Sequence, residues 1–303
     1  MDFRFTEDQL DLIDAAKTVF AGENTVARMR AMAAGEPTTD FWQQIAELGL
    51  LTVMVPENQG GLGQPLVVMA AIAEAAGYAG IAEPYVEVAG LSLALSGRGD
   101  IQRQLSNNAK WVPSSTLRPY MDATNGLIMG EVVHAIDPLR KLIKDPTATK
   151  PGPEALLFHG AVLSAAQLVG LSQRMVDMSV EYAKDRQQFG KPIGAFQAIK
   201  HHLANVYTQI EFTRPMVHLA AIQGGRAVHT AKLAAIDTAM LAAETAIQVH
   251  GGMGYTYEVD LHLFMKRAWA LCGEWGDRNY HMKKLEDLIL NGDEIIGAGT
   301  TFK

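Results

Sequence analysis

Apolar residues recur at helical spacing toward both ends of the chain and lose that order in the middle. Near the start, Leu10, Ile13, Ala16 and Phe20 fall on one face of a 3.6-residue repeat, interrupted only by Lys17. The spacing predicts a helix over 5–20, with Thr6 as N-cap and Glu7 and Asp8 in the first turn, where the helix dipole favours negative charge. A second helix is predicted from Thr39 to Leu48, with Phe41, Ile45 and Leu48 on one side and Gly49 as its stop. The apolar run from Leu50 to Pro56 then leads into the loop Glu57-Asn58-Gln59-Gly60-Gly61-Leu62-Gly63. Its glycines either let the backbone pass close to something or simply turn the chain. Further helices are predicted over 65–79 and 84–97.

Between 98 and 155 the periodicity breaks at Asn107, Asn108, Pro113, Pro119, Asn125, Gly126, Pro138, Pro146, Pro151, Gly152 and Pro153. Leu127-Ile128-Met129 and Val132-Val133 read as strands within an irregular linker or a remnant β-domain. Helical spacing then returns over 155–186, 195–223, 226–250, 257–274 and 277–291. Long segments with short connections predict an antiparallel four-helix bundle. The chain therefore divides into an N-terminal helical domain (1–109), a reduced middle β segment (110–153) and a C-terminal bundle (154–303), mainly α throughout.

Composition narrows the function classes. A formal charge of −7 lacks the basic stripe of a nucleic-acid binder. No run approaches the roughly 18 apolar residues that a membrane span needs. The start, Met1-Asp2-Phe3-Arg4, lacks the apolar core of a signal peptide. One cysteine, Cys272, leaves no internal disulfide and suits a reducing cytoplasm. His201 and His202 are adjacent, point in different directions on a helix, and make a poor metal pair; no metal site is expected. His250 reads as part of a turn, and Met253 and Met265 as filler.

Three segments carry more specific information. The first is Tyr182-Ala183-Lys184-Asp185-Arg186-Gln187-Gln188-Phe189-Gly190-Lys191-Pro192-Ile193-Gly194-Ala195-Phe196-Gln197. The second is Gln248-Val249-His250-Gly251-Gly252-Met253-Gly254-Tyr255. The third combines Phe41-Trp42, Glu47-Leu48-Gly49-Leu50, Val55-Pro56-Glu57 and Gly60-Gly61-Leu62-Gly63. Alone, Arg186 could merely suit the end of a helix, and Gly251, Gly252 and Gly254 could merely stop one. Together, in this order and at this spacing, the segments resemble the acyl-CoA dehydrogenase family, with its patterns Y-A-x-x-R-x-x-F-G-x-P-I-x-x-F-Q and Q-x-x-G-G-x-G-[YF].

The resemblance implies FAD bound at a subunit interface, with Arg186, Gln188, Phe189, Gln197, Gln248, Gly251 and Gly252 contributing to the adenosine and pyrophosphate end. The residue types suit that role. A guanidinium can hold phosphate through paired, charge-assisted hydrogen bonds. Glycines leave backbone N–H donors accessible.

Two departures from the family pattern decide what else is expected. Residues 110–153 contain neither the Y-x-x-T-E-P-like nor the W-x-T-N-like segment that holds flavin ring and thioester in active members; Trp111-Val112-Pro113-Ser114-Ser115 is no substitute. Dehydrogenation also needs a carboxylate to take the α-proton while the β-hydrogen leaves as hydride. The commonest family position for it, 27 residues after Gln248, holds Trp275, and the alternative position holds Gly160. Glu274, one residue early, remains a fallback base, or a residue that caps the turn before the last helix. The segment Gly276-Asp277, followed by Tyr280-His281, resembles the G-D-x-x-Y-H of short partner subunits in heteromeric dehydrogenases of steroid-degrading bacteria.

The expectation is thus an FAD-binding, non-catalytic subunit of an α2β2 acyl-CoA dehydrogenase. Its partner would be a catalytic subunit, its substrate an acyl-CoA such as a steroid side-chain thioester, and its oxidant an electron-transfer flavoprotein. The alternatives are a homomeric enzyme using Glu274, a structural or regulatory subunit without flavin, and a different acyl-CoA reaction such as hydration.

Overall fold

The computed structural model describes residues 4–23, 26–36, 41–95, 131–133, 135–139, 142–144 and 154–292. Before the middle of the chain lie α1 (Glu7–Glu23), α2 (Val26–Ala34), α3 (Phe41–Glu47), α4 (Leu66–Ala79) and α5 (Tyr85–Leu95). After it come α6 (Glu154–Asp185), α7 (Gln197–Gln223), α8 (Arg226–His250), α9 (Leu261–Cys272) and α10 (Arg278–Leu290). Among the described residues, β structure is confined to two short antiparallel pairs. These are β1 (Glu131–Val133) with β2 (Leu142–Lys144), and β3 (Gln187–Gln188) with β4 (Lys191–Pro192). The chain is mainly α, as its apolar spacing predicts.

Helix α1 starts where expected. Gln9 N donates to Thr6 Oγ1 at 3.3 Å and Thr6 N donates to Gln9 Oε1 at 3.1 Å, a reciprocal capping box. Ile13, Ala16 and Phe20 are buried, whereas Leu10 stays largely exposed. In α3, Phe41 and Ile45 enter the core, but Leu48 does not. It lies beyond the helix end, just before Gly49 turns the chain at φ 72°, and is 52% exposed. Helix α2 has no counterpart in the apolar pattern because a charged residue faces its core side. Arg28 is buried there, paired with Glu83 and lying 5.2 Å from the Phe41 ring centre.

The glycine loop folds onto its own chain. Leu62 N, Gly63 N and Gln64 N donate to the carbonyls of Thr52, Val55 and Val53 at 3.1, 2.8 and 2.8 Å. A Cβ on Gly61 would sit 2.1 Å from Val55 O, so the glycines both turn the chain and permit a close approach.

The N-terminal helices meet the bundle where α4 crosses α6. A Cβ on Gly77 would lie 2.2 Å from Gln167 O, and one on Gly170 would lie 2.0 Å from Glu74 O. The two backbones touch because neither glycine carries a side chain. Helices α6, α7 and α8 pack on one another, with α9 against α6 and α8 and α10 against α8.

Of the middle segment, Val132-Val133 belongs to β1, while Leu127-Ile128-Met129 lies outside the described residues. Asp137 fastens this segment to α9, whose Arg267 also reaches the N-terminal helical part. It is 1% exposed and pairs through Oδ2 with Arg267 Nε of α9, while Arg267 Nη1 donates to Ile81 O at 2.5 Å.

Candidate functional site

The first two motifs meet at one end of the bundle. Tyr182, near the end of α6, stacks on His250, the last residue of α8, with ring centres 4.3 Å apart and planes inclined by 24°. The Tyr182 hydroxyl donates to His250 O at 3.4 Å. Ala183, Leu203 and Val249 form a small apolar cluster beneath them, joined by Ile193 and Ile199. His250 is buried, with its ring bonded to Ala246 O at 2.8 Å, and burial lowers its pKa. It therefore braces the turn, as the sequence suggests.

Above this cluster the chain projects a hairpin. Phe189 and Gly190 connect β3 to β4 with φ 55° and 79°. Positive φ at both central residues is the geometry of a tight hairpin turn, and it is strained for a phenylalanine. Phe189 is nevertheless 90% exposed, meeting Phe196 edge-on at 6.0 Å. Arg186 and Gln188 are exposed on the same hairpin, and Gln197 is exposed at the first turn of α7. Across the Tyr182–His250 contact stand exposed Gln248, Gly251 and Gly252. Gly251 ends α8 at φ 59° and ψ −136°, and a Cβ on either glycine would meet open space.

Among the described residues no carboxylate pairs with Arg186. An unneutralised guanidinium, a projected aromatic ring and bare glycine backbone on one exposed surface fit the phosphate and adenosine end of a dinucleotide. Glu274 stands apart, half-buried in the turn between α9 and α10, where its N–H donates to Leu271 O at 3.2 Å.

The two positions at which the resemblance would place a catalytic carboxylate converge in space. A Cβ on Gly160 would lie 2.0 Å from the Trp275 ring, so the indole rests directly on the bare backbone of α6. Trp275 is 5% exposed and leaves a residual cavity of about 10 Å³, lined also by Val86, Glu87, Gly90 and Leu163. No acyl chain fits there. Glu87, a buried carboxylate on α5, is the feature that the sequence reading missed. Its signal was one acidic residue in the apolar stretch Tyr85–Leu95.

Trp275 is held by the segment that follows it. The indole-bearing residue sits at φ 57°, and Gly276 at φ 98° has no room for a Cβ, which would lie 2.5 Å from Tyr280 and 2.6 Å from His281. Asp277 caps α10 by accepting from Tyr280 N at 2.8 Å. Buried His281 donates from Nε2 to Trp275 O at 3.0 Å. That fixes its tautomer, so its Nδ1 accepts from His229 Nδ1, 2.8 Å away. Lys232, also buried, donates to Ser164 Oγ at 2.6 Å and Leu271 O at 2.9 Å, anchoring the start of the same turn. Cys272 beside it is inert, its thiol pushed up to about 11 by burial.

This network makes stability pH-dependent. Burial chiefly lowers the His281 pKa from 6.5 to about 4, aided by Lys232 and His229 and opposed by the Trp275 carbonyl and Asp277. Between those values the unfolded chain binds a proton that the folded chain excludes. Stability therefore falls as pH drops from about 6.5 toward 4, and the contribution levels off below. At about 1.4 kcal/mol per pH unit, His281 accounts for about 3 kcal/mol of that loss. Urea denaturation at pH 7 and pH 4.5 measures it. His281→Gln, which can still donate to Trp275 O, is expected to flatten the difference; an unchanged pH slope would assign the loss to other groups.

A helical N-terminal layer packed on a helical bundle defines the class of protein, and comparison places it. The descriptions "Acyl-CoA dehydrogenase, N-terminal domain" and "Acyl-CoA dehydrogenase, C-terminal domain" match residues 6–98 and 154–285. The chain is 30% identical to acyl-CoA dehydrogenase IpdE2 of Mycobacterium tuberculosis, over 86% of this chain and 91% of that protein. Its fold matches a chain in the crystal structure of the ChsE4-ChsE5 complex from Mycobacterium tuberculosis, with a TM-score of 0.79, 20% identity and coverage of 98% and 100%. A chain of a variant of the Tcur3481-Tcur3483 steroid ACAD matches with a TM-score of 0.76, 21% identity and coverage of 94% and 98%. The chain belongs to the acyl-CoA dehydrogenase family. Among the described residues no helix is long and apolar enough to cross a membrane.

Proposed function

We propose that this chain is the FAD-contacting, non-catalytic subunit of a heteromeric, α2β2 acyl-CoA dehydrogenase. One observation carries the reading: the indole of Trp275 fills the space against Gly160 where the resemblance requires a carboxylate. An enzyme of this class must hold a base within reach of the substrate's α-carbon. Here the space is closed by an apolar ring.

The exposed surface of Arg186, Gln188, Phe189, Gln197, Gln248, Gly251 and Gly252 supports the cofactor half of the proposal. It offers phosphate and adenosine contacts to FAD lying between this chain and its partner. When bound, FAD supplies the acceptor for a hydride. The partner brings the carboxylate that takes the α-proton, and the acyl-CoA leaves as the trans-2-enoyl-CoA. An electron-transfer flavoprotein is the proposed final oxidant. Chains of the two-protein ChsE4-ChsE5 complex and of the Tcur3481-Tcur3483 steroid ACAD share this fold, which supports a heteromeric assembly and a steroid side-chain thioester as substrate. In this reading, 1–109 and 154–303 are the two helical domains and 110–153 is a reduced β segment that leaves the flavin ring to the partner.

The test is co-expression with a full-length acyl-CoA dehydrogenase from the same source, measuring flavin absorbance and complex size. Flavin and activity are expected in the mixed complex and not in this chain alone. Within the complex, Arg186→Ala is expected to weaken FAD retention about ten- to hundredfold, the worth of hydrogen bonds to a charged group. Unchanged flavin content would favour a structural subunit. A yellow, active protein from this chain alone that dies with Glu274→Gln would overturn the assignment.

A further inference from the structure

A second cavity lies away from both the hairpin surface and Trp275. It occupies about 530 Å³ between α1, α4, α6 and α7, a volume within the range of small-molecule sites. Its origin is visible in the sequence. Gly77 and Gly170 bring α4 and α6 into backbone contact, and α1 crosses above them. The α4 face below presents Ala71, Ala75 and Ala79, side chains too short to fill the gap. The walls are mostly apolar, with Phe5, Ile13 and Phe264 among them.

The charged groups on its rim are not equivalent. Arg214 donates from Nε to Glu74 at 2.8 Å and also pairs with Glu211, so both of its ionic contacts are made within the protein. Lys17 pairs with Asp14 at 2.9 Å. Burial leaves His218 with a lowered pKa, next to Arg214. Arg174 differs. Its guanidinium lies 5.5 Å from the Tyr78 ring centre and 5.4 Å from that of Phe264, and its buried Nε has no hydrogen-bond partner. Asp177, one turn along the same helix, accepts instead from the Tyr78 hydroxyl and from Gln173 Nε2, both at 2.9 Å. Among the described residues no carboxylate pairs with Arg174.

A guanidinium held against two aromatic rings, at the wall of a mostly apolar cavity, is pre-organised for a planar anion. We propose that this cavity is a binding site for an apolar monocarboxylate, its hydrocarbon body against α1 and α4 and its carboxylate on Arg174. The site is separate from the cofactor surface and does not depend on the function proposed above. Lys17 at the rim adds positive charge without being needed for the contact.

Calorimetric titration of the full chain with octanoate and with 1-octanol tests the proposal, since the two probes share a chain and differ in charge. Octanoate is expected to bind saturably and at least tenfold more tightly than octanol. Arg174→Gln is expected to remove that preference. Ala71→Phe, which fills the cavity from α4, is expected to abolish binding of both probes while the far-ultraviolet dichroism stays native. Equal affinity for the two probes, no saturable binding of either, or undiminished octanoate binding to Ala71→Phe would each overturn the proposal. If Arg174→Gln does not fold, the probe comparison and Ala71→Phe still decide.

Discussion

Asp137→Ala is expected to lower the stability of the chain by about 3–5 kcal/mol, the cost of leaving a buried charge without its partner. Asp137 is 1% exposed and Arg267 4% exposed, so water cannot replace the lost carboxylate. Arg267 would be left as a buried guanidinium without a counter-charge. It would retain only its bond to Ile81 O, while its Nη2 already lacks a partner. The variant also removes the acceptor for Leu139 N, which Asp137 Oδ1 serves at 2.9 Å. Guanidinium denaturation with a linear extrapolation reads the effect. The double variant Asp137→Ala, Arg267→Met is expected to recover much of the loss, because removing both charges removes the desolvation penalty as well. A single-variant loss below about 1 kcal/mol would mean that the pair is open to solvent.

The same pair shows why the middle of the chain was only partly legible. Periodicity finds elements that bury one apolar face, and it placed the helices around α4, α6 and α8 within a residue or so of their observed ends. It has nothing to say about a three-residue strand such as Leu142–Lys144, or about a segment fastened by one buried ion pair. Helix α2 was missed for a related reason. Arg28 turns its charge inward to Glu83 and Phe41, so the core face reads as polar. Spacing alone puts Leu48 on the same side as Phe41 and Ile45, although the helix that would carry it there stops at Glu47.

At the site, residue identity was more legible than residue purpose. The motif order already implied that the hairpin and the glycine turn belong together, but their physical link is a Tyr182–His250 stack that no spacing rule foresees. In sequence, Gly160 and Trp275 are two positions 115 residues apart at which the family pattern would have a carboxylate and this chain has none. Only the fold shows that these are one place, where the absence of a side chain at one position makes room for the ring at the other. The Gly276, Asp277, Tyr280 and His281 segment likewise gains a mechanical meaning. Each of those residues shapes or latches the turn that carries Trp275, so the segment that marks the resemblance to partner subunits is also the segment that keeps the space closed.

Trp275→Ala therefore has two expected consequences. The first is a loss of about 3–5 kcal/mol, the usual cost of truncating a large buried aromatic residue where the surroundings cannot collapse. Collapse is hindered here because the wall opposite the ring is the helical backbone at Gly160, flanked by Leu163 and Gly90, and the latch from His281 to the carbonyl of residue 275 is retained. The second consequence is a ligandable void. A cavity of about 10 Å³ becomes one the size of an indole, with Val86, Leu163 and the backbone of Gly160 and Gly90 around it and Glu87 at one side, and such a space accepts a flat, largely apolar guest. Added indole is expected to raise the melting temperature of the variant and leave that of the wild type unchanged. The opened space still contains no carboxylate from Gly160 or residue 275, so the variant is not expected to acquire dehydrogenase activity. If it does, a carboxylate already facing that space must be acting as the base; Glu87 lines the cavity, and Glu87→Gln in the same background would identify it.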